Sequence, residues 1–190
     1  MAIVAEDRSK LLELARVAVE ASVRGGPPPE TPEPSGVLAE KRGCFVTLKN
    51  RGRLRGCIGQ FSPRTPLAET IVQMGRAATQ DPRFISDPVT PDELPELTIE
   101  VSVLSPLKQT YEPEKLQVGK HGIYIQSPHG SGCFLPEVAT EMRWNTRQFL
   151  DNCCSHKAGL PAGAWRMIDT KVFLFTSEKF AAPFAEEPDK

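Results

Sequence analysis

The chain has 190 residues, with 23 Lys and Arg against 24 Asp and Glu and a formal net charge of -1. That balance excludes a global field drawing the protein to nucleic acid or an anionic membrane surface. No apolar run approaches the roughly 20 residues that span a bilayer, and MAIVAEDRSK turns acidic and polar too early for a secretory leader, so a cytoplasmic location is expected.

Residues 7–23 read as an amphipathic helix, with Leu11, Leu12, Ala15, Ala18, Val19 and Ser22 on one stripe and Gly25-Gly26 as its stop. PPPETPEPSG at 27–36 suits neither helix nor central strand and is an exposed connector. From Gly43 to Lys49 the residues alternate, with Cys44, Val46 and Leu48 on one face of a strand. Asn50-Arg51-Gly52 signals a turn, and Arg53–Ile58 returns as the partner strand. Gly59 to Pro63 is expected to leave the sheet. Thr65 then caps a helix with Pro66 at its first position and a stripe of Leu67, Ile71, Met74 and Ala78.

Asp81-Pro82-Arg83-Phe84 breaks the chain, and Thr90-Pro91-Asp92-Glu93 fits a capping box opening a short helix. Leu97, Ile99, Val101 and Val103 form a half-buried strand that stops at Ser105-Pro106. A second hairpin runs from Ile123 to Leu135, and Pro136–Arg143 is a short helix. Asn145 to Gln148 is a capping box for a helix over 146–158 ending at Gly159, and Lys171–Thr176 is the last strand. Hairpin-linked strands with helices between groups predict an α+β fold with a mainly antiparallel sheet flanked by helices. The length suits one domain, residues 1–190, with a possible small subdomain about 60–95.

Leu54-Arg55-Gly56-Cys57-Ile58-Gly59 is the most specific chemical signal. In an extended strand Arg55 and Cys57 share a face. A nearby cation favours thiolate, which is the nucleophilic form. Gly56 and Gly59 leave room for a ligand, or merely ease tight packing around a small buried thiol. Of the three histidines, His121 in Gly119-Lys120-His121-Gly122 is the preferred base, or else an exposed turn residue. Glu100, on the polar side of its strand, is an acid–base candidate or a solvent-facing position. Lys49, Arg51, Arg53 and Arg55 alternate along the hairpin as an anion site or a solvated end. Asp81–Arg83 is a structural corner or a pair facing the motif.

The five cysteines, Cys44, Cys57, Cys133, Cys153 and Cys154, are an odd count in a chain without a leader, which predicts reduced thiols. Cys153-Cys154-Ser155-His156 lacks the second ligand pair that zinc requires, so no metal is expected. No phosphate loop or dinucleotide fingerprint is present, and no cofactor is expected.

With Gly43–Leu48, Asp81–Phe84, Leu94–Leu97 and Glu100–Pro106, the motif resembles blocks of the AMMECR family, also known as AmmeMemoRadiSam system protein A. Gly119–Ile123, Phe134–Ala139, Lys157–Leu160 and Trp165 extend the likeness across most of residues 10–180. Glu137 departs from it, since family members often carry Gln after the Leu-Pro pair. The resemblance implies a larger and a smaller subdomain with a cleft at the motif, a cytoplasmic location, and Memo-like and radical-SAM partner proteins. It implies no reaction class.

The combined expectation is an enzyme or enzyme subunit acting on a small anionic or modified macromolecular substrate. Cys57, His121 and Glu100 are its catalytic candidates, and Arg55, Gly56, Gly59, Arg53 and Arg83 its binding candidates. A non-catalytic partner-binding module is the alternative, and nucleic-acid binding a weaker one.

Overall fold

A computed structural model describes residues 2–31, 33 and 35–185. The strands are β1 (Cys44–Asn50), β2 (Arg53–Gln60), β3 (Leu97–Leu104), β4 (Lys108–Thr110), β5 (Gly122–Ser127), β6 (Gly130–Phe134), β7 (Lys171–Phe175) and β8 (Ser177–Pro183). The helices are α1 (Ala5–Val23), α2 (Leu67–Ala78), α3 (Pro136–Glu141) and α4 (Thr146–His156). So far as it is described, the chain divides into two compact units, Met1–Leu104 with Glu178–Lys190, and Ser105–Ser177. Residues 60–95, where the sequence suggests a subdomain, lie inside the first unit.

The first unit carries a four-stranded sheet in the order β2-β1-β3-β8. Period-two alternation sends Cys44, Val46 and Leu48 of β1 and Ile99, Val101 and Val103 of β3 to one face, where they join the apolar stripes of α1 and α2 in one core. The stripe of α1 is Leu11, Ala15, Ala18 and Val19, as its periodicity predicts. A Cβ on Gly75 would lie 3.3 Å from both Ala15 O and Ala18 Cβ, so small residues set the close approach of α2 to α1. Each large apolar side chain buried here contributes about 1.5–3 kcal/mol.

The β1–β2 hairpin turns at Arg51-Gly52, both in the left-handed region (φ 48° and 82°), the requirement of a two-residue primed turn. Pairing starts in the expected register, Asn50 with Arg53 and Lys49 with Leu54. It then slips by one residue, pairing Leu48 with Gly56 and Thr47 with Cys57. Arg55 is the extra residue of a β-bulge. A one-residue slip moves every later side chain to the opposite face. Without it Cys57 would fall opposite Val46 and face the core. With it, Cys57 joins Thr47 on the face turned away from α1 and α2.

The second unit has a sheet in the order β4-β7-β5-β6. Ile123, Ile125 and Val172 pack with Phe149, Leu150 and Cys153 of α4. The expected capping box is present: Asn145 Oδ1 accepts from Gln148 N–H at 2.9 Å, and Asn145 N–H donates to Gln148 Oε1 at 3.0 Å.

Four local expectations need correction. β2 continues to Gln60 and does not leave the sheet at Gly59. Pro66, not Thr65, is the N-cap of α2, and the Thr65 hydroxyl is hydrogen-bonded with that of Thr70. Thr90 makes no side-chain cap, and the segment after it is a 3-10 helix, Pro91–Glu96, with Pro95 inside it. Lys171–Phe175 is followed by a further strand, β8, whose sequence SEKFAAP has weak alternation and a closing proline. It lies along the edge of β3, Phe180 packs against the first unit's core, and Glu178 accepts from Ile3 N–H at 2.8 Å.

The end of α2 lies against β2. A Cβ on Gly56 would stand 2.0 Å from Ala78 O, a backbone atom that cannot swing aside. Gly56→Ala is expected to destabilise the protein by about 1–3 kcal/mol or prevent folding, read as a lowered urea midpoint at unchanged slope.

Candidate functional site

The outward face of the first sheet is an ordered grid. One row holds Cys57, Thr47 and Glu100 from β2, β1 and β3; the next holds Leu54, Lys49 and Thr98; the row on the other side holds Gly59, Phe45 and Ser102. Thr47 Oγ1 donates to Cys57 Sγ at 3.1 Å, which fixes the half-buried thiol against its neighbour. Lys49 Nζ pairs with Glu100 Oε1 at 2.7 Å. Cys57 and Glu100 sit two strands apart, roughly 10 Å between backbones. The register thus gathers two candidates that sequence spacing keeps 43 positions apart.

Cys57 lies on the edge strand with its backbone polar groups turned outward, and the corner at residues 81–83 satisfies both. Cys57 N–H donates to Asp81 Oδ2 at 2.9 Å, and Arg83 Nη2 donates to Cys57 O at 3.2 Å. The Asp81 carboxylate is 2% exposed and also accepts from Arg83 N–H at 3.0 Å and from the Arg83 guanidinium. Carboxylate and guanidinium therefore take the place of a neighbouring strand. Arg83 holds the Asp81 carboxyl down at about 2; burial opposes this, and the Cys57 and Arg83 N–H groups reinforce it. The Arg83 side chain remains 57% exposed, with Nε and Nη2 engaged by Asp81 and Cys57 and the guanidinium 5.7 Å from the centre of the Phe84 ring.

Arg55 does not share the Cys57 face. Leu54 and Cys57 pair with Lys49 and Thr47, which share one side of β1, so the bulged Arg55 falls on the other. There it is 8% exposed. Glu93 receives it as a bidentate pair, Nε at 2.6 Å and Nη2 at 3.0 Å, and Asp87 accepts from Nη1 at 2.8 Å. Pro88 O takes a fourth bond at 3.3 Å. Burial pushes the Glu93 carboxyl up, but hydrogen bonds from Arg55 and Asn50 outweigh it and hold the group below its ordinary value. Arg55 is thus an internal clamp between β2 and the 87–93 segment, and the roles of anion clamp and thiolate stabiliser expected for it are not available.

The four hairpin cations also separate. Lys49 is on the Cys57 face with Glu100, Arg51 pairs with Glu96 at the turn, and Arg53 lines a cleft of about 340 Å³ beside Asp87, Glu93 and Glu96. The two glycines leave no ligand space: Ala78 O fills the position beside Gly56, and a Cβ on Gly59 would lie 2.1 Å from the Phe45 ring. His121 belongs to the second unit, where its Nδ1 accepts from Gln117 N–H at 3.1 Å. Burial, with Lys120 nearby, lowers its pKa. His129 and His156 lie in the same unit. Cys153 and Cys154 are buried in the α4 core.

Thr47 and Lys49 are the residues that sequence reasoning undervalued. Their signal is present in the strand alternation, but assigning Thr47 to Cys57 requires the register after the bulge.

A two-unit α+β protein with a cysteine-bearing polar sheet face is the class defined by this geometry. The AMMECR1 family model matches residues 12–180, and the chain belongs to that family. A protein of Thermococcus gammatolerans is 43% identical over 194 residues, covering 94% of this chain and 91% of its own. Protein TK0174 of Thermococcus kodakarensis is 42% identical over 193 residues, covering 94% and 91%. The crystal structure of uncharacterized protein PH0010 from Pyrococcus horikoshii is similar with a TM-score of 0.79, 38% identity and coverage of 90% and 89%. No helix among the described residues is long and apolar enough to cross a membrane.

Two measurements check the two clamps. Arg55→Ala strands Glu93 in a part-buried position and is expected to cost about 3–5 kcal/mol in chemical denaturation. Asp81→Asn removes a carboxylate whose native value near 2 lies below the ordinary 3.8. Such a group stabilises fully above its unfolded value and loses that contribution as pH falls through its folded value. The variant is expected to be about 2 kcal/mol less stable at pH 7. Its deficit should shrink steadily as the pH is lowered from about 4 to about 2 in parallel denaturation curves.

Proposed function

We propose that the outward face of β2-β1-β3 is a ligand-binding site centred on Cys57. On this reading the protein is an enzyme or enzyme subunit handling a small anionic or modified macromolecular substrate, together with Memo-like and radical-SAM partner proteins in a cytoplasmic setting. The observation that carries the reading is the Thr47 hydroxyl aimed at the Cys57 sulfur on a half-buried polar face. The sulfur is held by its neighbour and by a backbone pinned to Asp81, so it is preorganised for contact.

Each neighbour has a role in this reading. Cys57 supplies the thiol. Glu100 is the group available to take or return a proton, and Lys49 opposes its charge. The exposed side of the Arg83 guanidinium is the cation for an anionic group, replacing Arg55, whose donors are spent on Glu93, Asp87 and Pro88.

A non-catalytic partner-binding module is the second reading. The observations that favour it are the packing of both motif glycines against the protein's own atoms and the internal ion pairs of Arg55. It makes the motif a rigid corner that shapes a docking face.

Iodoacetamide at neutral pH, followed by peptide mass mapping, separates the two. Burial pushes the Cys44 thiol up to about 12 and the Cys133 thiol up to about 11, and raises Cys153 and Cys154 as well. On the first reading Cys57 is labelled roughly tenfold or more faster than these four, because thiol reactivity follows thiolate character and access. Its rate should also exceed that of the same residue in the unfolded chain and should fall in Thr47→Val. Labelling no faster than the unfolded control sinks the enzyme reading and leaves the docking face.

A further inference from the structure

The cleft at the end of the β1–β2 hairpin lies wholly within the first unit and encloses about 340 Å³. That is the small end of the range of ligand pockets, roughly 300–1,000 Å³. Asn50, Arg51, Arg53 and Arg55 line it from the hairpin, and Asp87, Glu93 and Glu96 from the segment before β3. Every lining side chain is polar, and the charged ones are three of each sign. Asp92, exposed on the same 3-10 helix as Glu93 and Glu96, is not on the lining. The cleft therefore offers charges of both signs, no surplus of either, and no apolar side chain.

These charges are not all spent on one another. Arg55 and Glu93 are the buried members and hold each other bidentately. Arg51 pairs with Glu96 Oε1 at 2.9 Å, and Asp87 gives Oδ2 to Arg55. Glu96 Oε2 and Asp87 Oδ1 have no partner among the described residues. Arg53 has no ion pair or hydrogen bond among the described residues, although three carboxylates line the same cleft. One guanidinium and two carboxylate oxygens thus face a common space without reaching each other.

Opposite charges held apart across one cleft match a ligand that carries both. A planar guanidinium takes a carboxylate through two parallel N–H···O bonds. An ammonium group brings three donors and no acceptor, which suits carboxylate oxygens. A ligand with one charge leaves either Arg53 or the two acidic oxygens unmatched, and only a ligand with both satisfies them together.

We propose that this cleft binds a small amino acid as its zwitterion, with the carboxylate on Arg53 and the ammonium group between Asp87 and Glu96. The buried Arg55–Glu93 pair fixes the site, since Arg55 also holds Asp87 through Nη1 at 2.8 Å. Its outer groups are exposed, so binding is of modest strength and weakens with salt. Arg53 pairs with Asn50 in the strand register and falls on the Arg55 side of the hairpin, away from Cys57. The site is independent of the Cys57 reading.

Amide chemical shifts of the isotope-labelled full chain, followed at low salt, test it. Glycine, β-alanine and γ-aminobutyrate are the probes, with increasing distance between their charges, and butyrate and butylamine are controls with one charge each. At least one zwitterion should shift amides within 50–55 and 87–96 and bind roughly tenfold more tightly than either control. Arg53→Gln should raise its dissociation constant roughly tenfold, and Arg53→Lys should raise it less. Both variants should keep the parent urea midpoint, because Arg53 bonds nothing else among the described residues. Asp87→Asn with Glu96→Gln should erase the preference for the zwitterion over butyrate. The proposal is overturned if no zwitterion shifts these amides at tens of millimolar, if butyrate or butylamine binds as tightly, or if Arg53→Gln leaves binding unchanged.

Discussion

The buried carboxylate of Asp81 governs the edge of the first sheet. An edge strand exposes unpaired N–H and C=O groups, and leaving them buried without partners costs about 1–3 kcal/mol each. Asp81 accepts from Cys57 N–H while Arg83, bound to the same carboxylate, donates to Cys57 O. The corner after α2 therefore ends strand pairing on that side and locks the one backbone unit that carries the thiol. The end of α2 can reach β2 because Gly56 has no side chain, so helix, corner and strand are fitted as one piece.

The bulge at Arg55 is the second constraint, and it sorts the motif into two chemistries. On the core side the guanidinium meets Glu93 and Asp87 and becomes a tie between β2 and the 87–93 segment. A charge this buried is tolerated only with such partners. On the outer side Cys57 meets Thr47, in the same row as Glu100 and one row from Lys49, the ion-pair partner of Glu100. Two residues that look like a cooperating cation and thiol in the sequence therefore work on opposite faces of one strand.

Local patterns made the main elements legible. The stripe of α1, the Asn145 capping box, the alternation of β1 and β3 and the Asn50–Gly52 turn depend on neighbours within a few residues. β8 was not legible, because SEKFAAP has weak local strand character and its place is set by distant partners, β3 beside it, the core under Phe180 and Ile3 N–H on Glu178. The candidate site was half legible. Cys57 and Glu100 were readable as residue types, and Asp81–Arg83 as either a structural corner or a pair facing the motif. Thr47 and Lys49 gained their places only from strand pairing.

The sequence by itself determined the antiparallel α+β character, the helices with their apolar stripes, the hairpin that holds the motif, and membership in a family, since these follow from periodicity, turn chemistry and residue identity. Tertiary structure alone decided which way Arg55 and Cys57 point, which arginine reaches the motif, and what fills the space beside its glycines. A single extra residue in one strand inverts the facing of all that follow. Nothing in Leu54–Gly59 encodes that slip locally: it is set by β1 on one side and by α2 with Asp81 on the other.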